Sequence, residues 1–296
     1  MKKYIFTCIG FALSFLAAAQ PNTTEIWLVD ILEKEGKTVA VNPYRMTQNE
    51  HYDNQPCFSR DGQFLYYASM PDTTQSDLYE FHIRKKVIRQ ITNSPESEYQ
   101  PMPIPYDKNK ISAIRVEMEK TQKLYEFSLD GSYGDYLTPN EDSVAYYCWI
   151  NDTTIGAYML NGKGGFLQQF DMVPQQAIIL ADGGFGRCLA KIPGTAMLTY
   201  VLKSAGTNTL MQYDMTNEER MPILIFPEGV EDFCWGPNRM VYCADKGNIW
   251  MYDTKDENAK WVSIADFSEA IGDFYRLAMS PAGDKMALVS YKGPKP

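Results

Sequence analysis

The chain has 296 residues, 45% of them hydrophobic and 22% charged, a composition that can supply a large buried core. Its 37 acidic residues outnumber 28 basic ones for a net charge of −9, so phosphate backbones and anionic lipid surfaces are repelled and nucleic acid is not an expected partner. An aromatic content of 13%, with 20 Tyr, favours strands, where flat side chains fit a pleated surface.

The N-terminal run MKKYIFTCIGFALSFLAAAQP has the three parts of a secretory signal. Lys2 and Lys3 form the positive region, Tyr4 to Leu16 the apolar region, and Ala17, Ala18 and Ala19 the small-residue cleavage site. The apolar run is short of the ~20 residues that a membrane span needs. Cleavage is expected after Ala19, leaving residues 20–296 as one exported domain, periplasmic or secreted, without membrane insertion. The mature chain then carries 26 basic residues against 37 acidic ones, a net charge of −11.

From Glu25 onward one four-part unit recurs. A strand ends in a turn with Ser and Gly three residues apart; an apolar strand follows, then a strand led by an apolar or aromatic pair, then a strand ending near Thr. The third part is clearest: IWLVDI at 26, LYEFHI at 78, LYEFSL at 124, FLQQFD at 166, LMQYDM at 210 and IWMYDT at 249, with gaps of 52, 46, 42, 44 and 39 residues. The first part reads PCFSRDG, MPIPYDK, YCWINDT, CLAKIPG, FCWGPNR and LAMSPAG. The fourth part reads YRMTQN, RQITN and DYLTPN and then loses its Thr. Periods of about 40–50 residues built from four short strands signal propeller blades. No amphipathic helical period exceeds about two turns, and Asp266 to Ile271 is the best short candidate. The chain opens on a third and a fourth strand (25–48) and ends on a first and a second (276–291), with five complete units between. The expected fold is therefore an all-β, six-bladed β-propeller of four-stranded blades, the last closed by strands from both termini, which removes the open sheet edges.

FSRDGQFLYYAS followed by DLYEFHIRKKVIRQIT resembles the WD-like propeller repeat of TolB-type proteins, whose units read roughly Phe-Ser-Pro-Asp-Gly, then Leu-Tyr, then Arg-x-Leu-Thr. MSPAG in the last blade matches that opening, whereas blades three to five keep the hydrophobic pattern without the Ser and Gly. The resemblance covers residues 25–291 and implies a periplasmic or cell-envelope propeller that binds proteins. Neither the helical N-terminal domain of TolB nor a fused OmpA-like domain is expected here.

Residues suited to catalysis are few. There are two His, His51 and His82, and no nucleophile elbow, zinc helix or phosphate-binding glycine loop. GKGG at 162–165 reads as a hairpin, and DTKDEN at 253–258 lacks the Gly and Glu of a calcium loop. No catalytic, cofactor-binding or metal-binding residue is expected. Cys57, Cys148, Cys188, Cys234 and Cys243 remain after cleavage, an odd number read either as buried free thiols or as one disulfide with the rest unpaired. Four of them occupy equivalent places in the repeat.

The loops joining each fourth strand to the next first strand open on one propeller face, and they are acidic. NEHYD, PESEYQ, NEDSVAYY, PEGVED and SEAIGDFY place Glu50, His51, Glu98, Glu141, Asp142, Glu228, Glu231, Asp232, Glu269 and Asp273 around one mouth. Tyr52, Tyr99, Tyr146 and Tyr275 sit among them, and ADGGFGR breaks the pattern with Arg187. The expected function is a non-catalytic envelope scaffold, a monomer, whose acidic, Tyr-bearing face docks a partner protein presenting Lys or Arg. The alternatives are a channel that binds a sugar or peptide, and a hydrolase or lyase using channel carboxylates.

Overall fold

The computed structural model describes residues 23–48, 50–72, 74–138, 140–162 and 164–292; the expected secretory signal lies outside them. Twenty-four strands form six four-stranded antiparallel sheets, and there is no helix among the described residues. In the run Asp266 to Ile271, Asp266 ends a strand and the rest is a turn closed by the Phe267 carbonyl, which accepts from the amides of Ala270 and Ile271. Blade one runs β3 (Tyr52–Phe58), β4 (Phe64–Met70), β5 (Asp77–His82) and β6 (Val87–Gln90). Blade two comprises β7 (Ser97–Pro103), β8 (Lys110–Val116), β9 (Gln122–Ser128) and β10 (Gly134–Tyr136). Blade three comprises β11 (Val144–Trp149), β12 (Thr154–Leu160), β13 (Gly165–Asp171) and β14 (Gln176–Asp182). Blades four and five are β15 (Phe185–Lys191) to β18 (Arg220–Ile225), and β19 (Phe233–Trp235) to β22 (Val262–Asp266).

The sixth blade is made from both ends, as the order of the repeat requires. Its strands lie in the order β2 (Lys37–Arg45), β1 (Thr24–Lys34), β24 (Lys285–Tyr291), β23 (Phe274–Met279). The antiparallel pairing of β1 with β24 sets Ile26 opposite Val289 and Leu28 opposite Ala287. No sheet edge is left at the chain ends, and the ring is fastened by an uninterrupted backbone ladder.

Each periodic apolar residue has a single place in this architecture. Ile26, Leu78, Leu124, Leu167, Leu210 and Ile249, one per third strand, are all essentially inaccessible to solvent. Burying such a side chain stabilises the fold by roughly 1.5–3 kcal/mol. In blade three the equivalent buried residue is Leu167 and not Phe166, one position later than the spacing suggests. The Thr that ends the fourth part also has a repeated role: Thr47 Oγ1 accepts from the Ile26 amide and Thr92 Oγ1 from the Leu78 amide, tying the outer strand's exit to the buried third strand. The Ser-Gly turns are equivalent too. Ser59 and Ser280 each accept, through Oγ, the amide five residues on, while Gly62 and Gly283 adopt φ of +68° and +75°.

Candidate binding site at the channel mouth

The first strand of each blade is innermost, and residues from all six enclose a central cavity of about 290 Å³. These strands are not regular. The ladder skips between Asn54 and Cys57 on β3, Tyr99 and Met102 on β7, Val144 and Tyr146 on β11, Phe185 and Leu189 on β15, and Phe274 and Arg276 on β23. A bulge on an inner strand re-aims the side chains beside it, here toward the channel. Gln55 and Gln100 hold left-handed φ of +55° and +53° within two of these bulges, a conformation uncommon outside glycine.

The re-aimed side chains stitch blade to blade. Gln55 Oε1 accepts from the Gln100 amide at 2.8 Å, and Gln100 Nε2 donates to the Tyr147 carbonyl at 2.8 Å, linking blades one, two and three. On the other side, Asp232, just before β19, joins blades four, five and six. Its Oδ2 accepts from Arg187 Nε and Nη2, both at 2.6 Å, and its Oδ1 accepts from Arg276 Nε at 3.1 Å. Arg276 Nη1 donates to Asn54 Oδ1 at 2.8 Å, and Asn54 Nδ2 donates to the Tyr275 hydroxyl at 2.6 Å, which brings blade one into the same cluster. The Tyr275 ring lies under Arg187, 4.7 Å from the guanidinium carbon, and stacks on Tyr291. Burial is the largest single influence on Arg276 and opposes its charge, but Asp232 together with Tyr275, Tyr52 and Tyr146 holds the guanidinium pKa above the ordinary arginine value.

The predicted site residues divide by depth. Tyr52 and Tyr99 meet edge to face at 6.3 Å, Tyr146 stacks on Tyr158, and Tyr275 joins the arginine cluster, so all four tyrosines lie at the inner ring. Glu50 and Asp142 are exposed on the surrounding loops, as are Glu228 and Glu269, while His51, Glu141 and Asp273 are half-buried there. Glu231 is tied to Lys203 at 2.6 Å. Two expected surface acids are not on the surface. Asp232 is 3% exposed and belongs to the arginine cluster. Glu98 is 0% exposed, accepting from Ser94 Oγ at 2.6 Å and Thr92 Oγ1 at 3.0 Å, and burial, opposed by these bonds, pushes its carboxyl up to about 7. The mouth is thus acidic at its rim and cationic in its throat. Arg276, Asn54, Gln55 and Gln100 were not singled out by sequence reasoning.

All five cysteines among the described residues are free. Cys57, Cys188 and Cys234 line the cavity wall, and burial pushes the thiols of Cys57 and Cys188 up to about 12. No group of three or more His, Cys, Asp or Glu among the described residues is arranged to hold a metal ion, and no helix there is long and apolar enough to cross a membrane.

No protein-family model matches the sequence, and neither does any curated protein. Solved structures do match the fold. A TolB-type protein from Agrobacterium tumefaciens superimposes with a TM-score of 0.68 at 13% identity, covering 92% of this chain and 99% of that one. TolB from Acinetobacter baumannii gives 0.55 at 12% identity over 91% of this chain and 64% of its own. An oligogalacturonate lyase from Vibrio parahaemolyticus gives 0.58 at 12% identity over 90% and 88%. Identities this low carry the architecture and nothing about chemistry. In fold, the chain is a TolB-like six-bladed β-propeller.

Proposed function

We propose that this is an exported, non-catalytic binding propeller of the cell envelope that receives a partner protein at the mouth of its central channel. The observation that carries the reading is the mouth itself. Inner strands hold four half-buried tyrosines at the mouth, Tyr146 lining the cavity, inside a rim of exposed acids. Aromatic side chains held on a fixed frame supply contact area at low entropic cost, and the surrounding carboxylates attract Lys and Arg on a partner. Some propellers of similar fold are lyases, but the chemistry of this cavity favours binding. Both oxygens of its carboxylate, Asp232, are already engaged by guanidinium groups, and the thiols of Cys57 and Cys188 are held far above the pH at which they would become nucleophiles.

The test is affinity capture of the tagged mature chain from its own envelope fraction at low and high salt, beside a rim variant carrying Glu50→Lys, Asp142→Lys and Glu228→Lys. Those three positions are exposed, so the variant should fold, whereas reversal at Glu98 or Asp232 would put a cation into a buried site. A partner lost both in high salt and in the folded rim variant is the expected result. Capture that is indifferent to both would refute the reading.

A further inference from the structure

The cavity beneath the mouth has the opposite charge to the protein that contains it. Its charged lining residues are Arg187, Lys191, Arg276 and Asp232, three cations against one carboxylate, in a chain whose net charge is −9. Asp232 is shared between two guanidinium groups, so one positive charge of that cluster is left uncompensated. Donors are left over as well. The bonds of Arg187 run through Nε and Nη2 and those of Arg276 through Nε and Nη1, so Arg187 Nη1 and Arg276 Nη2 have no protein acceptor among the described residues. The Arg187 side chain is 35% exposed and that of Arg276 15%, so the first faces the opening and the second lies deeper.

We infer that these two arginines form a seat for a free carboxylate, and that the group anchoring the bound partner in the channel is such a carboxylate. This rests on the proposed binding role of the mouth and specifies what enters it. Two planar guanidinium groups, one braced by the Tyr275 ring and both fixed by Asp232, present their spare N–H bonds from a rigid frame, the geometry that suits the two oxygens of a carboxylate. The one charge that the arginine pair leaves uncompensated matches one monoanion. Below the seat the wall is largely apolar, with Met102, Leu277, Met279 and Trp235, so the carboxylate should carry an apolar substituent. About 290 Å³ admits a terminal residue or one sugar ring, not a folded segment. The carboxylate therefore belongs to the end of a ligand: a peptide C-terminus, or a uronic acid at the end of a saccharide.

The two sources separate by titration. Thermal unfolding of the mature protein would be followed, at matched ionic strength, with a mixed-sequence tetrapeptide pool bearing free C-terminal carboxylates, the same pool amidated, and digalacturonate. The expected result is a rise in Tm of roughly 2–4 °C at saturating free-acid pool and none with the amides. Arg187→Gln should weaken binding at least tenfold while still folding, because Asp232 keeps Arg276 as a partner. A rise with digalacturonate alone, lost in Arg187→Gln, would keep the seat and assign its carboxylate to a saccharide. No rise with either acid, an equal rise with the amides, or full binding by a folded Arg187→Gln protein would overturn the inference. Capture of the envelope partner by the same Arg187→Gln protein keeps the two proposals distinct. Rim-dependent capture that survives it would leave the docking role standing without the carboxylate seat.

Discussion

Replacing Asp232 by Asn keeps the shape of the throat and removes its one negative charge. Asp232 is 3% exposed and is the carboxylate that pairs both Arg187 and Arg276 among the described residues. Removing one partner of a buried ion pair costs about 3–5 kcal/mol, because the remaining charge stays buried without compensation. Here two guanidinium groups are left facing each other. Arg276 is the deeper, with 15% of its side chain exposed, whereas Arg187 at 35% is partly screened by water. The expected loss is therefore near the lower bound, about 3 kcal/mol. Urea denaturation reads it directly: with a slope near 3 kcal/mol/M for a chain of this size, the midpoint should fall by about 1 M with the slope unchanged. The second arm tests the sign. In the wild-type background Arg187→Gln removes an ion-pair partner and should destabilise; in the Asp232→Asn background it relieves repulsion and should stabilise. A loss below about 1 kcal/mol for Asp232→Asn, or the same destabilising effect of Arg187→Gln in both backgrounds, would refute the electrostatic account of the clamp.

Glu98 should make stability depend on pH in a defined direction. Its carboxyl is raised from 4.5 to about 7 in the folded protein, so the native state binds the proton more tightly than the unfolded chain. The resulting stabilisation is fully present below pH 4.5 and is lost as the pH rises through 7, a change of about 3 kcal/mol. Glu98→Gln should flatten that decline and exceed wild type in stability at pH 8; parallel stability curves would refute it. Gly283→Ala should cost more than Gly62→Ala: both impose a left-handed φ on a residue with a Cβ, but only at Gly283 does that Cβ meet Pro237 Cγ at 2.8 Å. Urea midpoints in the opposite order would contradict the packing argument. With their thiols pushed up to about 12, Cys57 and Cys188 should resist alkylation at pH 8 in the folded protein and react once it is unfolded in urea. Rapid labelling of either in the native state, read by mass spectrometry, would show that burial does not control them.

The propeller was legible in the sequence because each blade must bury the same apolar positions, and burial leaves a periodic trace. Leu78, Leu124, Leu210 and Ile249 stand where the spacing puts them, and the order of parts at the two ends predicts the sixth blade. The acidic loops were harder to read, since sequence gives charge without depth. Glu98 looks like a surface acid within PESEYQ, yet β7 turns it inward, where Thr92 and Ser94 from the preceding loop supply its hydrogen bonds. The throat did leave a trace, although not as a motif. The residue just before each first part of the repeat is Gln55, Pro101, Tyr146, Arg187, Asp232 or Arg276, and all six line the central cavity. Five of them are polar, at a register position where a regular strand would alternate. What hid them is that no two arginines or carboxylates are near each other in the chain; the ring closure brings Asn54 and Arg276 together across 222 residues.

A clamp between blades does not by itself call for two arginines on one carboxylate. One Arg and one Asp would join two blades with no net charge in the throat, and the desolvation that opposes the charge on Arg276 would be met by a full partner. Gln55 and Gln100 show that this inner ring can be stitched without charge at all, since they link blades one to three by neutral hydrogen bonds alone. The excess cation is therefore confined to blades four to six, the same side on which Tyr275 braces Arg187 and the opening exposes it. The rim then acts as a filter in front of that charge. Exposed acids such as Glu50 and Asp142 disfavour a bare anion near the mouth, and their reach in physiological salt is only about 8 Å. A carboxylate that arrives with basic groups a few residues behind it meets attraction at both depths: cation at the rim, anion at the seat. On the proposed reading, the radial order of the charges, more than their sum, selects such a ligand.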